Sequence, residues 1–252
     1  MKIEILFPEC CNLFGDYGNV LLLKACLPNA EFIETALYET PQFVKDPVDL
    51  VYLGSMSEHT QEKVIEKLLP HKAQLAAQIE KGRCFLFTGN AVEVLFREIR
   101  DGSRRIPGLA LFDLYAVRDY NHRYNGNFLG MFQNMRLLGC KTQFTMAYGD
   151  NSAYYFAKAE RGMGLNKSSD LEGVHMHNFF GTYLVGPLLT MNPAFTRYLL
   201  HLIGVEAKTL PFENALEEAY AARLKEFADP ATEMEKEDDN NQLKLGFLRK
   251  FH

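Results

Sequence analysis

Residues 83–95 read RCFLFTGNAVEVL. A short apolar run meets a Thr-Gly-Asn turn and then a helical pattern. Many α/β enzymes present a nucleophile this way: a strand ends, the chain turns sharply, and the turn residue projects into a cleft. The turn here offers Thr88, Gly89 and Asn90, and no strong nucleophile.

The flanking sequence on the N-terminal side alternates strand and helix. Residues 2–7 form a first strand, with Glu4 set inside its apolar run. Asp16 is placed to cap a helix through VLLLKACL, and 31–37 and 49–53 read as two more strands, the last ending at Gly54. Ser57 caps HTQEKVIEKLL, whose Val64, Leu68 and Leu69 share one face. A further helical stretch runs to Lys81 and leads into FLFTG. This order predicts a mostly parallel sheet covered on both faces. Between 109 and 181 the pattern turns to short strands separated by Gly and Asn, which predicts antiparallel pairing. A helix opens at Pro193 and closes at Gly204, and another spans 213–227. The reading gives one domain over 1–228 and a charged, mobile tail over 229–252, whose LKLGFLRKFH end is suited to dock on the body or a partner.

The chain has 252 residues and a net charge of −5, which argues against a nucleic-acid phosphate surface as partner. No apolar run approaches the ~20 residues of a membrane span, and the N-terminus lacks the small-residue cleavage site of a signal peptide. The expected location is the cytoplasm, and the five cysteines, an odd number without regular spacing, are expected to be free thiols.

Three segments together resemble class I glutamine amidotransferases of the cobyric acid synthase and lipid II isoglutaminyl synthase type. They are NLFGDYGNVLLL (12–23), the strand-turn-helix FLFTGNAVEVL, and GTYLVGPLLTMNP (181–193). GCKTQF (139–144) looks like the segment that helps line the glutamine pocket in that family. The likeness covers about residues 1–205. It implies an α/β fold, a flavodoxin-like, doubly wound, mostly parallel sheet with an antiparallel extension, and a pairing with a synthetase- or ligase-type partner.

The resemblance also implies a cysteine on the elbow and a histidine in the later segment, because a thiolate attacks the glutamine amide and needs a proton carrier beside it. The cysteine position falls on Gly89, or on Thr88 if the register shifts by one; the histidine position falls on Val185. Glycine has no nucleophile and valine accepts no proton. Thr88 is a weak nucleophile without a base, and its simpler role, with Asn90, is to close the turn. Glu93 is either a pocket acid or an acid placed for the helix dipole.

The expected reading is an amidotransferase-like protein without glutaminase activity, acting as a binding or scaffolding subunit beside a synthetase-type partner or as a homo-oligomer. Its degenerate pocket is expected at the carboxyl ends of the strands. Gly54, Ser55, Thr88, Gly89, Asn90, Gln143, Tyr183 and Val185 are expected to line it, with Lys141 nearby. The alternatives are altered chemistry in the same cleft, or glutaminase chemistry carried by Cys10 or Cys11, which follow the first strand at that edge. Cys84 lies roughly 16 Å from the elbow along its strand, toward the wrong end of the sheet. No cofactor is implied. The pair His175 and His177 has zinc-like spacing but no evident third ligand, so no metal site is expected. The polar run of Asp119, Asn121, His122, Arg123 and Tyr124 is a solvated connection or a lip for an anionic ligand.

Overall fold

The computed structural model describes residues 1–239 and shows a mixed α/β protein with three sheets. The main sheet contains β1 (Lys2–Leu6), β2 (Glu31–Thr35), β3 (Leu50–Leu53), β4 (Cys84–Thr88), β13 (Val174–Met176) and β14 (Phe179–Thr182). Their order is β2-β1-β3-β4-β14-β13, and every neighbouring pair is parallel except β13 with β14. The central strands LVYL and CFLFT are buried at every position, as a sheet covered on both faces requires, whereas the edge strand EFIET is polar.

Period-two alternation divides the core. Leu6, Val51, Leu53, Phe85 and Phe87 face α3 (Glu58–Leu68) and α4 (Lys72–Glu80) through Val64, Ile65, Leu68, Leu75 and Ile79. Ile3, Ile5, Leu50, Tyr52 and Leu86 meet the other layer. That layer includes Val20 and Leu23 of α1 (Tyr17–Cys26) and Phe195, Leu199 and Leu200 of a later helix, Pro193–Leu202. Ser57 caps α3 as expected, accepting from Thr60 N at 3.2 Å. The buried acid Glu4 binds Thr35 Oγ1 at 2.6 Å and receives Phe43 N at 2.8 Å, where the short helix α2 (Gln42–Lys45) begins.

The structure corrects the region after the elbow. Gly89–Leu95 is a single 3-10 stretch, and β5 (Phe96–Asp101) follows at once, so no long helix leaves the turn. The second sheet has the order β10-β7-β5-β6, adding β6 (Arg104–Pro107), β7 (Phe112–Arg118) and β10 (Thr145–Tyr148); β7 and β10, both within 109–181, pair antiparallel as expected, while β7 pairs in parallel with β5, which precedes that region. The third sheet is antiparallel: β8 (His122–Phe132) pairs with β9 (Met135–Gln143), with β11 (Ala157–Arg161), which carries β12 (Leu171–Glu172), and with β15 (Glu235–Asp239). GVHMHNFFG does not belong to this antiparallel region. It supplies β13 and β14 to the main sheet.

Three helices follow β14 and precede β15: α5 (Leu188–Met191), α6 (Pro193–Leu202) and α7 (Glu213–Ala228). Part of the segment expected to be a mobile tail is attached to the body. Met234 packs with Leu129, Leu138 and Phe227, and β15 continues the edge of β8. The remainder of that tail, with LKLGFLRKFH, lies outside the described residues. Among the described residues, no helix is long and apolar enough to cross a membrane.

Candidate functional site

Register in the main sheet assembles the site. Thr182 of β14 is the partner of Thr88 of β4, so the residues that follow the two strands emerge side by side. Gly89 has φ +62°, the left-handed conformation that favours glycine, while Thr88 is extended. A Cβ built on Gly89 would lie 2.5 Å from Ser55 Cβ and 3.2 Å from Val185 Cγ1. Ser55 and Val185 therefore both close over Gly89, and all three residues are buried. Gly54 is equally confined: its Cβ would lie 2.4 Å from the Cys11 carbonyl oxygen.

Beneath this contact sits a polar cluster that the sequence reading missed. Asp16, assigned there to a helix cap, makes no capping bond. Its carboxylate accepts from Ser55 N at 2.9 Å and from Thr88 Oγ1 at 2.7 Å. Tyr52 Oη lies 3.1 Å from Thr88 Oγ1 and donates to the Asp16 carbonyl at 3.1 Å, while Asn19 Nδ2 donates to Tyr52 Oη at 3.1 Å. Asp16 thus fastens the turn after β1 to the ends of β3 and β4. Thr88 is fully buried beside an acid, so its hydroxyl serves the cluster and faces no ligand.

Burial pushes the Asp16 carboxyl up to about 6 against its hydrogen bonds. Because the folded-state value exceeds the ordinary one near 3.8, the folded protein holds more protons between those limits. Stability from this group is complete below the unfolded value and is lost as pH rises toward 6, by on the order of 3 kcal/mol. Asp16→Asn should flatten the stability profile between pH 4 and 6, measured by urea unfolding across that range. An unchanged slope would assign the dependence to another group.

A second buried network lies under the next turn. Glu93 accepts from Tyr183 Oη at 2.9 Å, from Gln61 Nε2 at 2.8 Å, and from Thr145 Oγ1. Gln61 Oε1 accepts from Arg118 at 2.8 Å, and Arg118 also binds Glu62 at 2.8 Å. Burial raises the Glu93 carboxyl above its usual range, as it does the Tyr183 hydroxyl. Glu93 is a structural hub rather than a dipole acid, since the stretch it occupies is no α-helix.

The expected pocket is therefore divided. Gly54, Ser55, Thr88, Gly89, Tyr183 and Val185 are packed shut. Asn90 and Gln143 line an open cavity of about 260 Å³, together with Leu13, Phe14, Met56 and Arg123. The Asn90 amide is committed to the backbone of Met56, accepting its N–H at 3.0 Å and donating to its carbonyl at 2.7 Å. The Arg123 guanidinium lies 5.6 Å from the Phe14 ring centre and 5.3 Å from that of Phe144, and its buried Nε has no partner. A carboxylate is the complement of such a group. Of the polar run 119–124, Asp119 binds His122 at 2.7 Å and Tyr124 is buried.

Lys141 stands apart from this cavity, fully buried, donating to Gly164 O at 2.6 Å and to Glu172. Burial pushes every cysteine thiol upward, including Cys10 and Cys11. Cys10 and Cys11 meet the Phe7 carbonyl, each other and Met56 Sδ, none of them a proton acceptor of useful basicity. His175 stacks on Phe180 at 4.8 Å with its Nε2 buried and unpartnered, whereas His177 pairs with Glu80 at 3.3 Å. No group of three His, Cys, Asp or Glu able to hold a metal occurs among the described residues.

No protein-family model matches the chain. It is similar to the lipid II isoglutaminyl synthase (glutamine-hydrolyzing) subunit GatD of Staphylococcus aureus (strain N315), 28% identical over 206 residues, which is 80% of this chain and 83% of the relative. The GatD subunit of Streptococcus pneumoniae (strain ATCC BAA-255 / R6) is 23% identical over 197 residues, 76% of each chain. In fold it is similar to a solved glutamine amidotransferase, with TM-score 0.52 and 13% identity over 80% of this chain and 99% of that one. A chain of PurLQS from Thermotoga maritima matches with TM-score 0.51 and 11% identity, over 88% of this chain and 98% of that one. By sequence relatives and by fold, this chain is a glutamine amidotransferase-like protein.

Proposed function

We propose that this protein keeps the amidotransferase scaffold, in its flavodoxin-like form, without the glutaminase chemistry, and works in the cytoplasm as a binding or scaffolding subunit. The observation that carries this is the contact of Gly89, Ser55 and Val185. The positive φ at Gly89 favours it over Thr88 as the elbow position. Val185 lies against it, where the family pattern implies a histidine. The space a cysteine side chain needs is filled by Ser55, and the Ser55 N–H is engaged by Asp16. Nucleophile, base and room for the nucleophile are all missing from one place.

The relatives named as subunits of a glutamine-hydrolyzing synthase support a synthetase-type partner, with a second copy of this chain as the other candidate. The cavity beside Arg123 leaves a place for a small carboxylate ligand without any chemistry on it. Purified protein should release no ammonia from glutamine above the uncatalysed rate, alone or with a synthetase-type partner. The direct test is ammonia release by the wild type and by a Cys10→Ser, Cys11→Ser variant. Robust wild-type turnover that disappears in the variant would establish the cysteine-rescue alternative, and turnover that survives it would point to altered chemistry in the cleft.

A further inference from the structure

We propose that a second cavity, sharing the wall of Gln143, Phe144 and Thr145 with the first, binds a neutral hydroxyl-bearing ring of the monosaccharide type. It encloses about 350 Å³, within the ~300–1,000 Å³ of small-molecule sites. Gly89 and Val185 are not on its wall, so the inference goes beyond the loss of glutaminase chemistry and does not rest on it.

The observation that points to a ligand is Gln143. Its side chain is only 7% exposed, its Nε2 donates to the Thr145 carbonyl at 2.5 Å, and its Oε1 is buried with no partner. Exchanging the two ends of the amide would set Oε1 against the Thr145 carbonyl oxygen, so the open group is an acceptor. A buried acceptor left unmatched is costly, and a ligand that donates an O–H or N–H removes that cost.

The rest of the wall selects the donor. Phe144 and Tyr148 offer aromatic surface, and Tyr148 is held by stacking on Tyr115 at 5.6 Å between ring centres. Such faces suit the C–H surface of a saturated ring. The charged side chains of the wall are already engaged: His122 and Asp119 bind each other, and Lys167 has its own partner. The cavity therefore asks for no net charge. It is also preformed, because Asn166 fastens its loop by donating to Ala147 O at 2.7 Å and accepting Ser168 N at 2.9 Å. A ring with apolar faces and hydroxyl edges meets all three conditions.

The test is saturation-transfer NMR with titration of the full-length protein. The neutral probes are methyl β-glucoside, N-acetylglucosamine and myo-inositol, and the charged probes are glucose 6-phosphate and glutamine. The expected result is saturable binding of at least one neutral ring, tighter than either charged probe. Gln143→Leu, which removes the acceptor together with the Nε2 donor to the Thr145 carbonyl, should weaken that binding roughly tenfold at a temperature where the variant is fully folded. Tyr148→Ala, at a half-exposed position outside the core, should weaken it as well and decides the matter if the first variant does not fold. Absence of saturable binding to any neutral ring, tighter binding of the charged probes, or affinity unchanged in the folded variants would overturn the proposal.

Discussion

Gly89→Cys should release no ammonia from glutamine and should lose about 2–5 kcal/mol of stability. Two costs add. A side chain at φ +62° carries about 1–2 kcal/mol of left-handed strain. Its Cβ also meets Ser55 Cβ at 2.5 Å in a packed interior, and overpacking adds about 1–3 kcal/mol. Chemistry is absent because a thiol with no base beside it is a poor nucleophile toward an amide. Val185→His alone supplies a base with nothing to activate. The two changes together still press the new sulfur against Ser55. Only the combination Ser55→Gly, Gly89→Cys and Val185→His gives the thiol both room and a proton acceptor. Even then Asp16 holds the neighbouring amide, so recovery should be weak. Urea unfolding and ammonia release across the series provide the check. A stable, active Gly89→Cys single variant would show that Gly89 is not the closed elbow position described here.

The second large effect should come from the buried ion pair. Lys141→Met leaves the Glu172 carboxylate in the interior with its cation gone, and breaking such a pair costs about 3–5 kcal/mol. That is a large share of the ~5–15 kcal/mol that holds an ordinary domain together. Glu172 still accepts from Thr182 Oγ1 at 2.8 Å and Tyr183 N at 2.7 Å, but these bonds do not neutralise it. The pair joins β9 to β12 within the third sheet, and Glu172 in turn accepts from Thr182 of β14, so its loss should loosen the third sheet where it meets the main one. Lys141→Met with Glu172→Gln should recover most of the deficit, because an amide keeps an acceptor for Thr182 and Tyr183 without a buried charge. Chemical denaturation of the two single variants and the double variant measures the coupling. A Lys141→Met single variant as stable as the wild type would show that the pair contributes no net coupling.

The sequence by itself determined the parallel core and which residues stand in the elbow turn. Runs such as LVYL and CFLFT, short, rich in β-branched or aromatic residues and bounded by turn residues, read as central strands, because apolar residues at every position need cover on both faces. Ser57 before an amphipathic run, Pro193 at a helix start and Gly204 at its end are local signals, and each marks its helix boundary in the structure. That no cysteine stands in the elbow turn and no histidine in GTYLVGPLL is a statement of composition and needed no coordinates.

Tertiary structure alone decided what fills the resulting space. Asp16 reads as a cap because capping is a local rule, yet its carboxylate serves residues 39 and 72 positions away. Whether β5 and β7 pair in parallel depends on partners that no single strand specifies. The closing of the elbow over Ser55 and Val185 depends on the registers of β3 and β14 against β4, and a strand's own sequence does not choose its neighbour. Local preferences act over a few residues, whereas packing, register and shared buried hydrogen bonds arise only when distant segments meet.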